Sequence, residues 1–85
     1  MNLTNFTSRF QGDDGTERMF DIKTVDVKAD ANGRVVAVIV ETPGRDEPYT
    51  VSYDFYSGWV RDGLHNLQSV PMDTLKSQLE QDGIL

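Results

Sequence analysis

The sequence predicts an α+β domain: a three- or four-stranded antiparallel meander sheet packed by a C-terminal helix, with a small SH3-like β-barrel carrying the same helix as the alternative. Three observations carry this. Asn32-Gly33 stands between two β-branched runs, residues 49–56 alternate apolar and polar, and Met72, Leu75 and Leu79 recur at i, i+3 and i+7 between Pro71 and Gly83. The first pattern marks a hairpin, the second a strand with one wet face, and the third an amphipathic helix. Val, Ile, Leu and Phe make up 22 of the 85 residues, enough apolar side chain for a folded chain and for one domain over residues 1–85.

Residues 1–10 place Leu3, Phe6 and Phe10 among Thr, Ser and Asn, which suits a short edge strand or an irregular arm. Residues 11–16 read as a turn, because Gly12 and Gly15 tolerate positive φ and Asp13 and Asp14 can bond their own backbone two residues on. Residues 19–29 then put Phe20 and Ile22 in one phase and Val25 and Val27 in the other. A phase switch inside a period of two is what a β-bulge produces, so a bent strand is expected. After the turn at residues 30–33, Val35 to Val40 is apolar on both faces and reads as the central strand, covered on both sides.

Pro43 and Pro48 bar residues 43–48 from a ladder interior and make them a turn. In the strand predicted over residues 49–56, Tyr49, Val51, Tyr53 and Phe55 share the buried face, leaving Tyr56 and Trp59 as the exposed aromatic pair at its end. Beyond Ser57-Gly58, Val60, Leu64 and Leu67 fall at i, i+4 and i+7 and favour a short helix. The last helix follows: Pro71 suits its first turn, Asp73 sits where the helix dipole favours an anion, and Gly83 suits the residue just past its end.

The catalytic inventory is thin. His65 is the only histidine, no Gly-x-Ser-x-Gly elbow accompanies it, and the paired carboxylates Asp13-Asp14 and Asp46-Glu47 sit in turns where solvent screens them. With no Cys and one His, a structural zinc site has no ligand set. Aligning Gly33 with the glycine of a calcium loop puts Lys28 at the first ligand position and Ile39 at the closing one, so that segment reads as a turn. No Gly-rich loop leads into a helix to cradle a phosphate. The expectation is a chain that is not an enzyme and needs no cofactor or metal.

Net charge is −6, and its distribution is uneven. Residues 1–45 carry 6 basic and 7 acidic groups, whereas residues 46–85 carry 2 and 7. No Lys/Arg cluster exists to displace counterions, so direct nucleic-acid binding is not expected. The longest apolar run is six residues and the first seven have no signal-peptide character, so neither a membrane span nor secretion is expected, and a cytoplasmic location is. Asn2 and Asn5 open glycosylation patterns that matter only after secretion.

What remains are surfaces. An acidic half carrying aromatic residues suits a small protein-binding domain, an adaptor or inhibitor, facing a partner with a basic surface. The candidate partner-binding residues are Asp46, Glu47, Asp54, Tyr56, Trp59, Arg61, Asp62 and Asp73. Two alternatives stand beside this reading: a small-ligand-binding regulatory module using the groove between sheet and helix, and a homodimeric structural protein pairing its exposed sheet edges.

Overall fold

Four strands and two helices appear in chain order in the computed structural model, which describes residues 5–11, 14–62 and 73–85. They are β1 (Asn5–Gln11), β2 (Glu17–Ala29), β3 (Val35–Glu41), β4 (Tyr49–Ser52), α1 (Tyr53–Asp62) and α2 (Asp73–Gln81). The strands form one antiparallel sheet in the order β1-β2-β3-β4, the meander expected of an α+β fold. β1 and β4 are its two edges and do not pair, so the sheet is open and the barrel alternative is set aside. The N-terminal arm is an edge strand, with Phe6 opposite Ile22 and Phe10 opposite Arg18.

Local chemistry explains the first turns. The Asp14 carboxylate accepts the Thr16 N–H at 3.0 Å, and the Thr16 side chain first, then this N–H, hold its pKa below the usual carboxylate range. At the next turn Asp30 Oδ1 accepts the N–H groups of Asn32 and Arg34, at 2.9 and 3.0 Å, while the Gly33 N–H closes on the Asp30 carbonyl. In this loop only Gly33 has positive φ, +81°, and Asn32 does not, so it is a type I turn followed by a left-handed glycine rather than a two-residue mirror-image turn.

Two bulges shape the sheet. In β2, Thr24 pairs with Val40 and Asp26 with Ile39, which leaves Val25 as the extra residue at the predicted phase switch. Ile22 and Thr24 are buried before it, and Val27 packs on the core after it. In β3 the extra residue is Val36, because Lys28 pairs with Ala37 and Ala29 with Val35. That bulge turns Val35 inward and leaves Val36 at 50% exposure.

β3 is an inner strand, as expected, but among the described residues the helices cover only one of its faces. Val38 and Val40 are buried under the helices, while Ala37 and Ile39 are outer-face residues, both half-buried. There the Lys23–Glu41 pair, directly across from each other in β2 and β3 at 3.8 Å, stays half exposed. Both helices pack into a single core cluster of Ile22, Val35, Val38, Val40, Tyr56, Val60, Leu75, Leu79 and Ile84, so neither is left for the other side.

The strand expected over residues 49–56 ends at Ser52, and the helix expected after Gly58 begins at Tyr53. Ser52 Oγ accepts the Phe55 N–H at 3.2 Å as an N-cap, and Asp54 stands in the first turn where the dipole favours it. Helical spacing then sends Tyr56, Ser57 and Val60 into the core with Tyr53 packed against it. Residues 63–72, which hold His65, Leu64, Leu67 and Pro71, lie outside the described residues.

α2 keeps its predicted stop. Gly83, at φ +77°, donates to the Glu80 carbonyl and Ile84 to the Leu79 carbonyl, a Schellman closure in which Ile84 and Leu79 both join the core. The buried Gln78 side chain does more: its Oε1 accepts the Val35 N–H at 2.7 Å and its Nε2 donates to the Val35 carbonyl at 3.0 Å. β4 stops opposite Ala37, so no β4 residue faces Val35, and on that side the carboxamide supplies the missing peptide group.

Candidate interaction surface

Helical geometry redistributes the aromatic residues of α1. At ~100° per residue, Tyr53, Tyr56, Ser57 and Val60 share the core side, and Phe55, Gly58, Trp59 and Asp62 share the opposite side. Tyr56 is therefore 0% exposed and is withdrawn from the surface, its hydroxyl 2.6 Å from the Thr24 hydroxyl. Burial pushes its phenol pKa up to about 12, with the Thr24 bond acting weakly the other way. Phe55, expected in the core, is 65% exposed instead. Trp59 is half-buried against the core and meets Phe55 edge to face, with ring centroids 5.9 Å apart and planes at 76°. The exposed aromatic residue of α1 is thus Phe55, with the half-buried Trp59 beside it, rather than the pair Tyr56 and Trp59.

The charged candidates fall into separate places. Asp54, Arg61 and Asp62 are exposed on α1, and Asp73 is exposed at the start of α2. Asp46 and Glu47 are exposed too, but they lie in the turn between β3 and β4. The seven residues of β3 separate that turn from Arg34 by about 20 Å at strand rise, and the four residues of β4 separate it from the start of α1 by about 13 Å. Asp54 and Asp62 thus share a helix, whereas Asp46 and Glu47 stand in a turn one short strand before it.

Two shallow grooves flank Arg34 and Gln78. One, about 350 Å³, runs between Gly33–Arg34 and the exposed side of α2, where Asp73, Thr74 and Ser77 line it. The other, about 340 Å³, lies between the Val35–Val36 bulge and the start of α1, lined by Tyr53, Asp54 and Asp82. Within it the Tyr53 hydroxyl donates to Asp82 Oδ2 at 2.7 Å, and burial, reinforced by that carboxylate, raises the Tyr53 pKa. No family model, curated protein or solved structure matches the chain. Among the described residues no three of His, Asp and Glu gather at one point, and no helix is long and apolar enough to cross a membrane.

Phe55 could not be placed outside from its strand phase, since alternation assigned it to the buried face. The available signal was Ser52, a capping residue followed closely by Asp54; a helix starting there puts Phe55 and Trp59 at i and i+4. Gln78 left no such signal, because its role depends on a strand 43 residues away.

Proposed function

We propose that this chain is a non-enzymatic protein-binding domain, an adaptor or inhibitor, that meets a basic partner through the outer side of α1. The supporting observation is Phe55: a large aromatic side chain 65% exposed on a helix whose other side is locked into the core. Its edge contact with Trp59 limits its rotamers, so less side-chain entropy remains to be lost on docking. Asp54 and Asp62 on the same helix add negative potential, which speeds encounter with a basic surface and repels acidic ones.

Capture from native cell extract by wild type, Phe55→Ser and Asp62→Lys tests this. Wild type is expected to retain a partner that high salt releases, Phe55→Ser to lose at least about tenfold in affinity, and Asp62→Lys to slow association. Both substitutions are exposed, so the circular dichroism of each variant should match wild type. Retention of the same partner by both variants, with unchanged salt dependence, would overturn the reading.

A further inference from the structure

We infer that the Phe55–Trp59 corner seats an arginine side chain of the partner, with the guanidinium stacked on the aromatic rings and paired with Asp62. This rests on the protein-binding reading above and specifies the chemistry of the contact. Phe55, Gly58, Trp59 and Asp62 occupy i, i+3, i+4 and i+7 of α1, an arc of about 100° in which Phe55 and Asp62 are exposed, Gly58 is half-buried and Trp59 is half-buried at the flank of the core. Two rings at 76° to each other form a two-walled corner, and a planar cation can lie flat on the face of one while its N–H edge points at the face of the other.

Gly58 strengthens the case. It lies inside a helix without positive φ, and beyond its chain neighbours and the helix's own nearby backbone no atom of the described residues lies within 4 Å of the position a Cβ would take. Neither backbone conformation nor close packing calls for glycine, although glycine costs a helix interior about 0.5–1 kcal/mol relative to alanine. The space it leaves lies beside Phe55, one helical turn along the same stripe. Asp62 follows Trp59 by three residues and puts a carboxylate within reach of a cation lodged there. Arg61 is set about 120° around the helix from Phe55, so its guanidinium starts from the flank rather than from the stripe.

Charge and chemistry both favour arginine. The chain carries net charge −6, and it already stacks a guanidinium on an aromatic ring once, with Arg45 Cζ 4.2 Å from the Tyr49 ring centroid. Arginine can stack and offer a fork of N–H donors to a carboxylate at the same time, whereas a lysine ammonium is compact and strongly hydrated.

Trp59 is the only tryptophan, so its fluorescence reports on the corner directly. The experiment titrates the full chain at low salt with capped peptides Gly-Arg-Gly-Arg-Gly, Gly-Lys-Gly-Lys-Gly and the citrulline analogue of the first. The arginine peptide is expected to give a saturable change, about threefold or more tighter than lysine, with no saturation by the neutral citrulline peptide. Phe55→Leu, Asp62→Asn and Gly58→Leu should each weaken it about threefold or more, and Gly58→Leu should do so while raising helix stability. No saturable response, equal response to arginine and lysine, or retention in Phe55→Leu and Gly58→Leu would each overturn the inference. If the peptides fail while extract capture still depends on Phe55, the arginine seat falls and the protein-binding reading stands; if capture fails too, both fall.

Discussion

Replacing Gln78 with Leu is expected to cost about 2–5 kcal/mol of folding stability, a large share of the total for a chain of this size. The apolar volume is nearly kept, so the loss comes from polarity. Val35 is 2% exposed, and both of its backbone groups on the β4 side are bonded to the Gln78 carboxamide. Leucine orphans a buried N–H and a buried C=O together, at about 1–3 kcal/mol each. The Gln78→Glu variant supplies the control. Its ionised carboxylate still accepts the Val35 N–H but cannot donate to the Val35 carbonyl, whereas the protonated acid can do both. The folded state of Gln78→Glu therefore favours the protonated form and raises that pKa above its unfolded value. The stabilising contribution is full below the unfolded value near pH 4 and is lost as pH rises through the folded value. Urea denaturation between pH 4 and 7 should show the gap to wild type widening upward. A Gln78→Leu cost under about 1 kcal/mol, or a pH-independent gap for Gln78→Glu, would show that the clamp contributes little.

The second large effect belongs to Tyr56 and appears at alkaline pH. Its folded pKa of about 12 exceeds the unfolded value near 10, so below pH 10 the phenol is neutral in both states and stability is intact. Above pH 10 the unfolded chain ionises first and folding stability falls by roughly 1 kcal/mol per pH unit until the folded phenol also titrates. Tyr56→Phe has no such group. At pH 7 that variant should be about 1–2 kcal/mol less stable than wild type, since Thr24 loses its buried hydroxyl partner. The difference should shrink above pH 10 and close near pH 11. Adding Thr24→Val to Tyr56→Phe should recover most of the neutral-pH loss, because the pair then leaves no unmet polar group between them. Parallel denaturation curves at pH 7 and pH 11 check this, and a constant difference between wild type and Tyr56→Phe would refute the burial argument.

Legibility in the sequence followed the range over which each determinant acts. The turn at residues 30–33 was readable because Asp30, Asn32 and Gly33 set it within one loop. The bulge at Val25 was readable because polar residues around it make the apolar phase visible. Its counterpart at Val36 was not, since every residue from Val35 to Val40 is apolar and a phase slip leaves no trace. Residues 49–60 satisfy two periods at once: Tyr49, Val51 and Tyr53 alternate, and Tyr53, Tyr56 and Val60 lie along a helix side. Only the cap at Ser52 separates the two, and choosing the strand exchanged Tyr56 for Phe55 on the surface. The acidic half was visible as composition, but the separation of Asp46 and Glu47 from Asp54 and Asp62 is a property of the sheet and had to await it.

The meander order also governs how the chain reaches this state. Each strand pairs with its neighbour in sequence, so each ladder begins by closing a short loop at little entropic cost. The Thr24–Tyr56 and Val35–Gln78 bonds span 32 and 43 residues, and they can form only after the helices have been carried back over the sheet. The hairpins thus rely on contacts close in sequence, while the two buried side-chain bonds tie together segments that the chain alone leaves far apart.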